Sequence, residues 1–151
     1  MPRADRRNKQ RRNTDRLNAD RVSSTLCPCG TGETYADCCG ALHAGRATAN
    51  TAEQLMRSRY SAFAMNDAAY LLTSWHSSTR PARLDLDPGL RWTSLEIVDT
   101  TGGTAFNTDG TVEFIAHYRE AGHPGLLREN SFFVREDGNW VYVRALPSGG
   151  K

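Results

Sequence analysis

The sequence predicts an α+β fold, with helices first and a mostly antiparallel sheet after them. Three observations predict it. Residues 51–76 carry apolar side chains at helical spacing and contain neither Gly nor Pro. From residue 90 onward the apolar period changes to two, and turn residues separate the segments that follow.

The first helix is opened by Thr51 and Gln54, which match a capping box, and runs through TAEQLMRSRYSAFAMN. Leu55, Met56, Tyr60 and Phe63 make its apolar face. Asp67 is placed to cap a second helix, AAYLLTSWH, with Leu71, Leu72 and Trp75 on one side. Pro81 and Asp87-Pro88-Gly89 then break the chain into loops. LRWTSLEIVD reads as a strand, with turns expected at Gly102-Gly103 and Asp109-Gly110. Val112, Phe114, Ala116 and Tyr118 alternate with Glu113, Ile115, His117 and Arg119, which gives the next strand one apolar face. GLLRENSFFVRE is a third strand, and Asp137-Gly138-Asn139 turns it into a fourth, WVYVRAL.

A chain of 151 residues, 38% hydrophobic and 24% charged, can form one small domain with attachments. No apolar run approaches the ~20 residues of a membrane span, and the basic start of the chain has no apolar signal region. A soluble, cytoplasmic protein is expected. Charge is unevenly placed: residues 1–26 carry +5 and the remainder −3. Residues 1–24 have little to bury and read as a disordered basic tail, suited to non-specific contact with nucleic acid phosphates.

All four cysteines fall within thirteen residues, at Cys27, Cys29, Cys38 and Cys39. Disulfides within either close pair are strained; bridges such as Cys27–Cys38 with Cys29–Cys39 are sterically open, but a secreted framework usually spreads its cysteines. Two Cys pairs separated by a glycine-bearing loop instead suit a tetrahedral ion, zinc before iron, because thiolate sulfur binds both. Gly30 and Gly32 can take positive φ, and Tyr35 can pack over the site. The pattern leaves no open coordination position, so the ion is expected to be structural. His43 competes with Cys39 as fourth ligand.

CPCGTGETYADCCG resembles the SEC-C motif, the metal-binding unit at the C-terminus of the SecA translocation ATPase. Its four ligand positions fall on Cys27, Cys29, Cys38 and Cys39, and Thr31 stands where Ser is usual. The segments AEQLMRSRYSAFAMNDAAYLLTSWHSSTRP, RWTSLEIV, TVEFIAHYRE, LLRENSFFVRE and NWVYV resemble the uncharacterised bacterial YchJ family. That resemblance implies a SEC-C unit over residues 25–45. It also implies a nuclear-transport-factor-2-like domain over 50–147, a cone of helices on a curved antiparallel sheet around a pocket. Some members carry a second SEC-C motif at the C-terminus; Ser148-Gly149-Gly150-Lys151 does not supply one, so a bivalent role is not expected.

Two functions are implied, the first favoured and the second its alternative. One is a metal-binding adaptor, because the similar SecA unit contacts a chaperone and the ribosome; a partner in export, chaperoning or translation would follow. The other is a ligand-binding or isomerase/dehydratase-type cone, since this fold hosts several chemistries. Arg59 flanks the apolar face of the first helix, and Glu129 shares a strand side with Leu127 and Phe133, which predicts a buried ion pair between them. His76 is expected to complement a helix C-terminus and His117 to lie on the surface. No spacing demands catalysis, and no catalytic residue is assigned. The polar segment Arg46–Asn50 predicts that few contacts join the metal unit to the cone. The assembly is expected to be a monomer or a homodimer.

Overall fold

The structure, a computed structural model, describes residues 25–147, so the expected tail at 1–24 lies outside the described residues. Among the described residues three helices precede four strands: α1 (Cys39–His43), α2 (Ala52–Ala64), α3 (Ala68–Thr73), β1 (Leu90–Gly102), β2 (Asp109–Glu120), β3 (His123–Glu136) and β4 (Asn139–Ala145). The strands form one antiparallel sheet in the order β1-β2-β3-β4. None of the described helices is long and apolar enough to cross a membrane.

Helix α2 begins where its cap residues dictate. Thr51 Oγ1 accepts from the Gln54 backbone N–H at 3.1 Å, and Gln54 Oε1 accepts from Asn50 N at 2.8 Å. Two of the unpaired donors at the helix start are thereby satisfied. Its apolar face packs on β1, β2 and β4 and buries Leu55, Met56 and Tyr60. Asp67 caps α3 by accepting from Tyr70 N at 3.0 Å.

Helix α3 is shorter than expected. The Ser74 hydroxyl bonds back to the carbonyls of Tyr70 and Leu71, and the chain then leaves helical geometry. Tyr142 N donates to Ser74 O and His76 N donates to Tyr142 O, so residues 74–76 run beside β4 in parallel. Edge pairing of the backbone outcompetes one more helical turn, and it swings Trp75 against Tyr142, with ring centroids 5.2 Å apart.

Asp109-Gly110 opens β2 instead of forming a turn, and Gly110 pairs with Gly102. The reversal lies between them, over residues 103–108. Two strand connections are two-residue hairpin turns with both residues at positive φ: Asp137-Gly138, as expected, and Ala121-Gly122. Strand β2 buries Val112, Phe114 and Ala116 as the alternation predicts, and His117 lies on the opposite face. Bulges after Trp92 and Ile97 curl β1, which keeps Trp92, Leu95 and Ile97 against the core despite the extra residues.

Candidate metal centre and adjoining cavity

The segment ahead of α1 closes on itself through a bridge between Leu26 and Thr34. Cys27 N donates to Glu33 O, and Tyr35 N to Thr25 O. Gly30 and Gly32 reverse the chain at φ of 87° and 89°, a conformation that costs glycine nothing. Cys27 and Cys29 are thus presented from one side. Cys38 and Cys39, at the start of α1, face them from the other.

The four Sγ atoms lie within 4.8 Å of one another and form no disulfide. Cys29 and Cys38 sulfurs are 3.6 Å apart, and those of Cys38 and Cys39 are 4.0 Å apart. A tetrahedral ion with metal–sulfur bonds of about 2.3 Å requires edges of about 3.8 Å. The donor set therefore fits one tetrahedral ion, and this cluster can hold a metal. Thr31 Oγ1 stands 3.2 Å from Cys38 Sγ, and Ser61 Oγ 3.5 Å from Cys27 Sγ. Each hydroxyl can donate to a thiolate, which accounts for Thr31 replacing Ser without loss.

The sulfurs do not titrate alike. Contacts from the Cys29 and Cys39 thiols hold the Cys27 thiol well below its ordinary value. Cys39, whose contacts to the Cys27 and Cys29 sulfurs hold its proton and which is also buried, is pushed well up, and burial raises Cys38 to about 11. Four thiolates at this separation repel one another unless a cation sits among them.

His43 stands outside the cluster. Its Nε2 lies 2.8 Å from the Ser58 carbonyl, which can only accept, so Nε2 carries the proton. Nδ1 then accepts from the Tyr35 hydroxyl at 2.6 Å. Both ring nitrogens are committed, and the ring packs on Tyr70 at 4.5 Å. Cys39 holds the fourth position in the cluster. Tyr35 serves less as a lid than as one end of this bridge from the loop to α2. Helix α1 crosses Tyr35 at Gly40, where an added Cβ would stand 2.5 Å from the Tyr35 carbonyl oxygen.

The expected separation of metal unit and cone is not found. Cys27, Cys29 and Cys39 belong to the same buried cluster as Leu55, Met56, Tyr60 and Trp140. Arg57 Nη1 donates to Cys29 O at 2.8 Å while its Nε pairs with Glu53. A fixed guanidinium thus stands beside the sulfur cluster. The polar linker is a poor guide because the contacts bypass it and reach α2 directly.

On the far side of α2 lies a cavity of about 210 Å³ against the sheet, walled by Met56, Phe63, Trp92, Phe114 and Leu127. Arg59, Glu129, Ser131 and Tyr142 bring polar atoms to it. Arg59 is only 4% exposed. Its Nη1 donates to Leu71 O at 2.8 Å and Ser74 Oγ at 2.7 Å, holding the end of α3. Its guanidinium carbon lies 5.0 Å from the Trp75 ring centre and 4.6 Å from that of Tyr142.

The expected ion pair with Glu129 is not formed. Glu129 Oε2 instead accepts from Ser131 Oγ at 2.7 Å and from Tyr142 OH at 3.5 Å. The strand-side argument brings the two residues to one cavity but not into contact, because the Tyr142 ring stands against Arg59 and its hydroxyl reaches Glu129. His76 is not a helix-end partner either: its Nδ1 bonds Ser78 Oγ, and its Nε2 lies 3.7 Å from Glu136. Neither His76 nor His117 lines the cavity. Trp75 and Tyr142 are cavity residues that sequence reasoning missed; the edge pairing of residues 74–76 with β4 sets them and has no local sequence signal.

Two family models match: the SEC-C motif over residues 24–41, and the middle, nuclear-transport-factor-2-like domain of YchJ over residues 51–145. The chain belongs to the YchJ family. A UPF0225 protein of Streptomyces coelicolor is 62% identical over 117 residues, covering 78% of this chain and 91% of its own length. One from Deinococcus radiodurans is 46% identical over 120 residues, covering 79% and 87%. The solution structure of a SEC-C motif protein from Rhodopseudomonas palustris superposes with a TM-score of 0.71 at 33% identity, covering 80% of this chain and 96% of that one. The crystal structure of a SEC-C motif protein from Psychrobacter arcticus gives 0.68 at 27% identity, covering 84% and 86%. The YchJ-family architecture is thus a SEC-C unit on a nuclear-transport-factor-2-like domain, as the sequence resemblance implied.

Proposed function

We propose that the protein is a small-molecule-binding cone whose SEC-C unit holds one structural zinc ion. The observation that carries this reading is the cavity of about 210 Å³ into which Arg59, Glu129, Ser131 and Tyr142 converge. Holding the end of α3 occupies only Nη1 of Arg59, and a small, largely apolar space with a few polar groups on its wall is the usual form of a ligand site. Zinc is favoured over iron because a closed set of four sulfurs with no open position suits a structural zinc site. Free thiols at the cluster fit a reducing compartment, which supports a cytoplasmic location.

The test uses the three tryptophans of the chain. Trp75 and Trp92 line the cavity, and Trp140 does not, its Nε1 donating to Asn50 O at 3.1 Å. In a fragment screen followed by NMR, ligands should shift the indole N–H signals of Trp75 and Trp92 and leave Trp140 unmoved. A screen in which no fragment moves the first two refutes the reading.

A second reading, the adaptor, is supported by the exposed face of the metal unit. Leu26 is 69% exposed beside it, and residues 30–33 are exposed as well. A protein partner related to export, chaperoning or the ribosome would dock there, with the basic tail at 1–24 adding non-specific attraction to nucleic acid. Capture of the same partners by Cys38→Ser and wild-type protein would argue against that role.

A further inference from the structure

Among the described residues the buried guanidinium of Arg59 has no acidic partner. Among the described residues no carboxylate lies within ion-pair reach of it, and only Nη1 has acceptors, both neutral. Nε and Nη2 form one planar edge, the geometry that matches a carboxylate with two parallel bonds. The rings of Trp75 and Tyr142 lie close to the guanidinium, and both line the cavity. Trp75 Nε1 is itself buried without an acceptor. Burial lowers the Arg59 pKa to about 10, and the opposing influences, from Tyr142, Tyr70 and Glu129, are weaker than that loss of water.

Glu129 lines the same space as a charge of the other sign, already accepting from Ser131 and Tyr142 hydroxyls through one oxygen, Oε2. A bare anion would be repelled by it, whereas a ligand with a hydroxyl or amino donor would be held. The other walls are apolar and partly aromatic, Phe63, Trp92, Phe114 and Leu127 among them. The volume exceeds the ~150 Å³ of an apolar cavity able to hold benzene, which leaves room for one substituted ring.

Resting on the ligand-binding reading above, we propose that the cavity takes a small carboxylic acid with an apolar ring and a hydroxyl or amino donor, the acid on Arg59 and the donor on Glu129. Arg59 is the specificity residue for the acid, and Glu129 ranks hydroxylated above plain ligands. Leu127, 41% exposed, stands at the rim.

The experiment titrates the metal-loaded, full-length protein with 4-hydroxyphenylacetate, phenylacetate and 4-hydroxybenzyl alcohol, read by calorimetry and by the tryptophan indole signals. The hydroxy acid should bind tightest, phenylacetate several-fold weaker, and the neutral alcohol at least tenfold weaker. Glu129→Gln should narrow the gap between the two acids. Arg59→Met should abolish the preference for acids; because this change can unfold α3, Leu127→Trp is made as well. That variant fills the rim, leaves every polar group in place, and should abolish binding of both acids. If the alcohol binds as tightly as the acids, the acid assignment falls while the ligand-binding cone stands. If no probe binds and no fragment moves Trp75 or Trp92, both fall.

Discussion

Replacing His43 by Ala separates a structural from a ligating histidine. Three interactions are lost: the bond to the Ser58 carbonyl at 2.8 Å, the Tyr35 hydroxyl bond at 2.6 Å, and the ring contact with Tyr70 at 4.5 Å. Hydrogen bonds of this kind contribute about 0.5–1.5 kcal/mol each. The aromatic contact adds a similar amount. Together they predict a loss of about 2–4 kcal/mol and, for a domain of this size, a fall in Tm of roughly 10 °C. Tyr35→Phe removes one of the three and should cost about 1 kcal/mol, and the double variant should cost less than the two singles added. Urea unfolding measures the stability, and elemental analysis of the same samples measures the metal. Metal content should stay at one equivalent per chain in both variants, because four sulfurs remain. A His43→Ala protein that folds with unchanged stability, or that loses more than half of its metal, refutes the argument.

Chelating the metal should lower the unfolding temperature of the whole described body in one transition, since Cys27, Cys29 and Cys39 share a buried cluster with Leu55 and Tyr60; calorimetry showing an unmoved main transition would contradict this. Gly40→Ala should cost about 1–3 kcal/mol and weaken metal retention, because the new methyl meets the Tyr35 backbone at 2.5 Å; circular dichroism melts and metal analysis check it. Burial raises the Tyr60 and Tyr142 phenols to about 12. Their folded values exceed the unfolded value near 10, so their stabilising effect is complete below pH 10 and is lost as pH rises from 10 to 12. Over pH 10 to 12 the two phenols should outweigh Arg59, whose folded value of about 10 lies below its unfolded one and acts with the opposite sign; denaturant midpoints should fall across that window, and an unchanged midpoint excludes the effect.

What the sequence made legible was what local chemistry determines. The cap at Thr51, the alternation in Val112–Tyr118 and the Asp137-Gly138 turn each rest on neighbours within four residues, and each is found. The cysteine cluster was legible for the same reason, because a metal motif is a spacing rule. The misses share another cause. Helix α3 stops early because Ser74 and His76 pair with Tyr142, some sixty-odd residues away. That pairing, invisible to any local pattern, also turns Trp75 and Tyr142 toward Arg59 and keeps Glu129 from it. His43 was ambiguous because ligation and hydrogen bonding use the same nitrogens, and only the Ser58 carbonyl, fifteen residues along on α2, decides between them. The linker misled in the opposite sense: Arg46–Asn50 is polar, yet the metal unit reaches over it to α2 through Arg57, Ser58 and Ser61. One helix therefore carries both sites. Its Arg57 and Ser61 contact the cysteine unit, and its Met56 and Arg59 wall the cavity. A change at the metal centre that moves α2 also moves a cavity wall, so ligand affinity and metal occupancy are expected to be linked, each altering the other by the same factor.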